Sequence, residues 1–103
     1  MGSAFMAKDL RIGALLDVYG VFLSDKQRTL TEHYYNDDLS LSEIAENEGI
    51  TRQGARDIIH RAAVLLENYE EKCGYYEKFR KLKVLSFDCR KNEAEIKKII
   101  DTL

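Results

Sequence analysis

Four polar residues near the middle of the chain, Thr51, Arg52, Gln53 and Arg56, are of types that proteins use to contact nucleic acids. An arginine can bond guanine through two hydrogen bonds, and a glutamine can do the same with adenine. A threonine at the start of a helix can hold a phosphate together with the first helical amides. Arg52 and Arg56 are four apart, so they point the same way from a helix. The further candidates on the same predicted helix are His60 and Arg61.

The segment that contains these residues, 40–62, has the pattern of two short helices joined by a tight turn, SLSEIAENEGITRQGARDIIHRA. Ala45 is the small residue that is needed where the second helix crosses the first, and Gly49 is the turn glycine four residues later. Thr51 is a suitable cap for the second helix. The apolar residues with the spacing to lock the two helices together are Leu41, Ile44, Ile50, Ala55 and Ile58. This pattern predicts a helix-turn-helix.

Three features of the motif argue against a DNA reader. Glu48 occupies a position that is usually apolar, and Gly54 loosens the first turns of the second helix. The motif also contains three arginines and four acids, whereas a surface that binds nucleic acid is usually basic. An alternative interpretation is therefore that Arg52 and Arg56 are solvated residues that pair with nearby acids such as Asp57. Both interpretations are compatible with the sequence.

Charge is distributed unevenly along the chain. Residues 6–50 contain 4 basic and 9 acidic groups, whereas residues 51–103 contain 12 basic and 9 acidic groups. The basic residues of the second half cluster at Lys78, Arg80, Lys81, Lys83, Arg90 and Lys91. Part of this cluster is interleaved with Tyr75, Tyr76 and Phe79, a pattern that can contact a nucleic-acid backbone. The commoner and preferred interpretation is a core stripe with a solvated charged face.

The whole chain has the composition of an all-helical protein. It has 103 residues, 45% of them apolar, and no proline. No run of β-branched residues alternates at period two. We predict one helical domain over residues 6–103, with the helix-turn-helix at 40–62 and C-terminal helices over 75–103. Residues 1–5 precede a second start-like methionine, and we interpret them as a remnant of cloning.

About five helices are predicted, the first from Lys8 to near Phe22. The later helices have N-cap candidates with a polar side chain before an apolar-periodic run: Ser24, Ser40, Thr51 and Asn92. Gln27, Glu43 and Glu95 stand three residues after three of these caps and could complete capping boxes. The fourth helix either runs to about Val84 or breaks near Gly74.

Several other classes of protein do not fit. No stretch approaches the ~20 apolar residues of a membrane helix, and no signal peptide is evident, so a cytoplasmic protein is expected. Cys73 and Cys89 are expected to be reduced thiols, and His33 and His60 lack metal-ligand spacing. No nucleophile with a base at recognisable spacing and no phosphate loop appears, so neither an enzyme nor a cofactor is predicted.

The stretch LSDKQRTLTEHYYNDDLSLSEIAENEGITRQGARDIIHRAAVLLENYEEKCGYYEKF closely resembles the YlxM family of small bacterial helix-turn-helix proteins. The resemblance runs from about Leu15 to about Phe79. It depends on the DKQR run, the paired tyrosines, the SLSEIAE run and the TRQ run taken together. The sequence departs from the family at Gly54-Ala55-Arg56, where Ala-Val-Tyr is usual.

This resemblance implies an all-helical fold like region four of sigma factors, often as a dimer. It also implies a regulatory role in the signal recognition particle pathway, since the family's genes commonly neighbour those of the particle's GTPase and its receptor. Two functions follow as hypotheses. One is a nucleic-acid-binding regulator that binds DNA or signal recognition particle RNA. The alternative is an interaction module that binds the signal recognition particle GTPase and not DNA.

The apolar stripe from Ile58 to Phe79 is longer than one short core can cover. We therefore predict a homodimer that uses the long fourth helix, the C-terminal helix, or both.

Overall fold

The computed structural model describes residues 9–103, and all of its regular structure is helical. The start of the first predicted helix at Lys8 and the assigned remnant at residues 1–5 lie outside the described residues. Within 9–103 the α-helices are α1 (Leu10–Tyr19), α2 (Asp25–Tyr35), α3 (Leu41–Glu48), α4 (Arg52–Cys73), α5 (Tyr75–Leu85) and α6 (Glu93–Ile100). Short 3₁₀ turns at Gly20–Phe22 and Ser86–Asp88 follow α1 and α5. The all-α prediction is confirmed, with six helices across this range in place of about five.

The additional helix arises at Gly74, where the predicted long helix breaks. Gly74 has a φ of 67°, a left-handed conformation that stops α4 and that a residue with a Cβ adopts only with strain. Its amide donates to the carbonyl of Glu70, and α5 begins at the next residue. Of the two alternatives for the fourth helix, the break is therefore the one that occurs.

Three of the four predicted N-caps are confirmed. Ser24 and Ser40 both form complete capping boxes, with Gln27 and Glu43 bonding back to the cap amides. The hydroxyl of Thr51 accepts a hydrogen bond from the amide of Gly54 at 2.9 Å. In each case the cap residue has the extended backbone that lets its side chain reach the first turn.

The prediction for Asn92 is wrong in its chemistry. Asn92 does stand at the start of α6, but its φ and ψ of −101° and 11° are not those of an extended cap residue. Its side-chain amide instead donates to the carbonyl of Leu85 at 3.0 Å, and no capping box with Glu95 forms. The reason is the tight turn after α5, which brings Asn92 back to the unsatisfied carbonyls at that helix end.

The core consists of two clusters that α4 joins. Ala55 and Ile59 of α4 pack with α2 and α3, and the buried residues of this first cluster are Leu30, Tyr34, Leu41, Ile44, Ala45, Ala55 and Ile59. Ala62 and Leu66, further along α4, pack with α1 around Leu15. Each fully buried leucine or isoleucine contributes roughly 1.5–3 kcal/mol. Because α4 contributes to both clusters, it is rigidly held from its first turn to its last.

We call residues 75–103, which contain α5 and α6, the C-terminal arm. Neither α5 nor α6 has a buried residue. The molecule is correspondingly elongated, measuring 52 × 22 × 21 Å. The sequence-based interpretation of this region as a core stripe with a solvated charged face is therefore correct only in part: Tyr76 packs against the cluster around Leu15, but the apolar side chains of the arm are half-buried or exposed.

A buried carboxylate, Glu70, attaches the arm to the rest of the fold. The hydroxyl of Tyr19 donates to Glu70 at 2.6 Å, and the amides of Tyr76 and Glu77 donate to its two oxygens at 3.0 and 3.1 Å. The amide of Tyr75 in turn donates to the Tyr19 hydroxyl. Burial, and secondly the bond to Glu70, raise the pKa of Tyr19 to about 12. These bonds satisfy the first amides of α5, which have no partner within their own helix.

Candidate nucleic-acid interface

The turn between α3 and α4 is built from local interactions. Gly49 has a φ of 68° and ends α3, and its amide donates to the carbonyls of Ala45 and Glu46. The amide of Ile50 also donates to the Ala45 carbonyl, at 3.0 Å. This pair of bonds is the glycine-ended arrangement that commonly stops a helix. It turns the chain sharply enough for Thr51 to start α4 two residues later.

The core below the turn holds the two helices at a fixed distance. Ala45 is buried at the crossing of α3 and α4, as the sequence predicted from its small size. Leu41 and Ile44 of α3 and Ala55 of α4 are buried in the same cluster, with Ile50 and Ile58 partly buried beside them. The predicted apolar lock is thus present, and the first turns of α4 are presented on a rigid support.

The six predicted site residues all lie on this presented part of α4. Thr51 is the exposed N-cap, Arg56 is half-buried, and the exposed residues further along are Arg52, Gln53, His60 and Arg61. At about 3.6 residues per turn, Arg52, Gln53, Arg56 and His60 share one side of the helix, within roughly 100°. Arg61 lies about 140° around the axis from Arg56. The structure therefore brings four of the six together on one side of α4, with Thr51 at its N-terminal end and Arg61 further around the axis.

An acid borders the same surface. The side-chain amide of Gln53 donates to Asp57 at 2.9 Å, one helical turn along α4. Asp57 is exposed and lies between Gln53 and Arg61 around the helix. A nucleic-acid ligand that used Gln53 would have to exchange this internal hydrogen bond for one to a base. The sequence suggested that Asp57 could pair with a nearby arginine. In the structure Asp57 instead accepts a hydrogen bond from Gln53.

Acidic residues also surround Arg52. The groove in front of α3 is lined by Arg52 together with Asp38 and Glu43. Glu43 accepts a hydrogen bond from the Ser40 amide at 2.9 Å as part of the capping box. These carboxylates lower the positive potential at Arg52 and disfavour a phosphate at this edge of the motif.

The two residues that departed from the motif pattern have local explanations. A Cβ on Gly54 would lie 3.1 Å from the hydroxyl oxygen of Thr51, closer than most such contacts, because that hydroxyl bonds the Gly54 amide. The absence of a side chain at Gly54 thus leaves room for the Thr51 hydroxyl to cap α4, and the helix continues through Gly54 without a break. Glu48 is the last residue of α3 and is half-buried, so its charged end can reach solvent.

Sequence reasoning missed Glu70, which is not a contact residue but determines where the arm begins. The available signal was its position four residues after Leu66, on the same side of α4 as Ala62. An acid within an apolar stripe is buried only when it is paired or hydrogen-bonded.

Within residues 9–103 no group of three or more metal-ligating side chains comes together. Cys73 and Cys89 are both exposed free thiols. Among the helices of this range, none has the length and apolar character needed to cross a bilayer.

The helical bundle and the geometry of α3 and α4 define a helix-turn-helix protein. The chain belongs to the UPF0122 family, whose model, described as "Putative helix-turn-helix protein, YlxM / p13 like", matches residues 6–103. The family expected from the sequence is therefore confirmed.

Bacterial relatives share most of this length. A UPF0122 protein of Clostridium kluyveri is 47% identical over 72 residues, which cover 70% of this chain and 65% of the relative. One from Shouchella clausii is 43% identical over 84 residues, covering 82% and 77% of the two chains. One from Bacillus licheniformis is 38% identical over 101 residues, covering 95% and 94%. The matched part of this chain thus spans about two thirds of the C. kluyveri relative and nearly all of the B. licheniformis one.

Proposed function

We propose that this protein is a nucleic-acid-binding regulatory protein that reads its target with the N-terminal part of α4. The observation that carries the proposal is that the fold holds this segment of α4 rigidly and exposes it to solvent. A left-handed Gly49 and a capped Thr51 aim α4 outward, and the core beneath it fixes the direction. In helix-turn-helix proteins the first turns of the second helix enter the major groove.

Each residue of the surface has a proposed role. Arg52 and Gln53 contact base edges, and Arg56 contacts a base or a phosphate. Thr51 and the first amides of α4 bind a phosphate. His60 extends the same side of the helix. Arg61 lies on the other side of Asp57, where it contacts the sugar-phosphate backbone of the opposite strand or makes no contact with the nucleic acid.

The proposed biological setting is the signal recognition particle pathway, which follows from the family resemblance of the sequence. The ligand is then duplex DNA or the RNA of the particle. Both are polyanions, so both would show affinity that falls with salt.

A second function is favoured by the acidity of the motif. Asp57 borders the proposed contact surface, and Glu43 and Glu46 are exposed on α3. Such a surface repels phosphate over about a Debye length of 8–10 Å. In the alternative, the helix-turn-helix is an interaction module that binds the signal recognition particle GTPase without binding DNA.

We further propose that the protein is a homodimer. The C-terminal arm exposes large apolar side chains that a monomer leaves in solvent, namely Phe79, Val84, Ile100 and Leu103. Covering them with a second copy removes this apolar area from water. Light scattering over a range of concentrations tests the assembly, and a monomer at high concentration would refute it.

The experiment that tests the function is a titration of the protein against duplex DNA and signal recognition particle RNA at two salt concentrations. If α4 reads bases, Arg52→Ala should weaken binding by roughly 1–3 kcal/mol and relax sequence preference. Loss of a phosphate contact in Arg56→Ala should mainly flatten the salt dependence.

Glu48→Lys serves as a charge control. It should strengthen nonspecific binding to DNA under either function, because it replaces a negative charge near the motif by a positive one. Weak binding of the unmodified protein that does not vary with salt, together with no effect of Arg52→Ala, would favour the interaction module.

A further inference from the structure

The C-terminal arm and the rest of the protein have opposite charge. Residues 9–74 contain 7 basic and 13 acidic groups, whereas the arm contains 8 basic and 5 acidic groups. The segment that carries the helix-turn-helix is therefore strongly acidic, and the arm is basic. Electrostatic affinity for phosphate, which supplies most nonspecific nucleic-acid binding, is concentrated in the arm.

Most of the cations in the arm form no ion pair with an acid of the described residues 9–103. Arg80 pairs with Glu77 at 2.8 Å, and the ammonium of Lys78 donates to the carbonyl of Thr102. The other six are exposed and form no ion pair within residues 9–103: Lys81, Lys83, Arg90, Lys91, Lys97 and Lys98. Exposed cations of this kind can exchange their counterions for phosphates.

The turn between α5 and α6 adds an aromatic side chain to these cations. Phe87 is 85% exposed, and Arg90 and Lys91 follow it in the same turn. An exposed aromatic ring beside cations is the combination on which proteins stack unpaired bases while holding the adjacent phosphates.

The arm is far enough from the motif to act separately. The helix α4 runs from the proposed reading surface to the arm, and at 1.5 Å per residue Cys73 lies about 20 Å along the axis from His60 and about 32 Å from Arg52. Even the shorter distance is more than twice the Debye length of about 8 Å at physiological salt. The acids around Arg52 therefore do not cancel the potential of the arm.

We propose that the C-terminal arm is a second nucleic-acid contact that binds an unpaired segment of the ligand. The six unpaired cations hold its phosphates, and Phe87 stacks on one of its bases. This inference rests on the proposed nucleic-acid-binding function. It adds that the two parts of the protein have different roles, since α4 supplies sequence selectivity and the arm supplies affinity for phosphate. The apolar residues Val84, Ile100 and Leu103 are not needed for this contact, so a dimer through them is compatible with it.

The test compares neutralised variants of the full chain. Arg90→Gln/Lys91→Gln removes two cations from the turn of the arm, and Lys26→Gln/Lys72→Gln is the matched control that removes two exposed cations elsewhere. The probes are single-stranded oligouridine and a blunt DNA duplex, titrated at several salt concentrations. Circular dichroism and sedimentation confirm that the variants keep the fold and mass of the parent.

We expect the arm variant to reduce the slope of log affinity against log salt by about 1.4 on oligouridine, at about 0.7 per phosphate contact. The control pair should leave the slope unchanged. Phe87→Ala should weaken oligouridine binding by roughly fivefold or more and leave duplex binding unaltered. Equal effects of the arm and control pairs, or no effect of either, would overturn the proposal.

The outcomes also separate this inference from the proposed reading function. If Arg52→Ala relaxes duplex selectivity while the arm variants change nothing, the arm proposal fails and the function stands. If only the arm variants weaken binding, the arm contact stands and base reading by α4 fails. Binding of phosphatidylserine vesicles but of neither nucleic acid would show that the arm contacts a membrane surface, and both proposals would then fail.

Discussion

Removal of the Glu70 carboxylate should release the C-terminal arm without unfolding the rest of the protein. Glu70 is only 8% exposed and accepts three hydrogen bonds, at 2.6, 3.0 and 3.1 Å, from Tyr19, Tyr76 and Glu77. A hydrogen bond to a charged group contributes roughly 1.5–3 kcal/mol. The three bonds share one carboxylate whose burial is itself unfavourable, so their sum overstates the effect. We expect Glu70→Ala to destabilise the attachment of the arm by about 2–4 kcal/mol.

The effect should be local because the two core clusters do not depend on the arm. All of their buried residues come from segments that precede α5. Native-state hydrogen exchange is the appropriate assay, since it reports each amide separately. The amides of Tyr75, Tyr76 and Glu77 should exchange roughly 30- to 1,000-fold faster in the variant, at about 1.4 kcal/mol per factor of ten. Amides in the middle of α4 should be far less affected.

Two further variants make this prediction sharper. Tyr19→Phe removes one donor to Glu70 and the acceptor for the Tyr75 amide, so it should give a smaller increase in exchange at the same positions. Glu71→Gln changes an exposed neighbouring acid and serves as the control, with no change expected. Exchange rates in Glu70→Ala equal to those of the control would refute the role that we assign to the carboxylate.

Four other predictions concern single positions of the fold. Burial raises the pKa of Tyr19 from 10.0 to about 12, so the neutral phenol stabilises the fold fully below pH 10. That contribution should be lost as pH rises through 12, and Tyr19→Phe should flatten the alkaline part of a plot of urea midpoint against pH. Ser40→Ala should lower the free energy of unfolding in urea by about 1 kcal/mol, because it removes a side chain that caps α3. Asn92→Ala should raise hydrogen exchange only in the arm, because the Asn92 side chain bonds the Leu85 carbonyl. Gly49→Ala should cost roughly 1–2 kcal/mol, since its φ of 68° is strained for alanine; an unchanged urea midpoint would contradict this.

The sequence by itself determined the helices and the turn of the motif. Ser24, Ser40 and Thr51 cap their helices through bonds to residues three positions away, and Gly49 stops α3 with bonds to the turn before it. Interactions of this range depend on the local order of residues, which a sequence displays directly. The family resemblance rests on the same local runs.

The candidate surface was predictable in its members but not in its internal bonds. Helical periodicity is enough to place Arg52, Gln53 and Arg56 on an exposed side of α4, once the apolar stripe is known. Which partner Asp57 binds is a choice among neighbouring side chains of similar reach. Only the tertiary structure shows that this partner is Gln53.

The arm was decided by tertiary structure alone. Its apolar periodicity suggested a core stripe, but a periodic pattern shows only that a helix has an apolar side and not what covers it. The chain breaks at Gly74, and bonds from Tyr19 and Glu70 to the start of α5 then determine where the arm leaves the rest of the fold. The bonds of Tyr19 to Glu70 and Tyr75 join residues more than 50 positions apart, a separation at which the sequence carries no visible sign of which groups will meet.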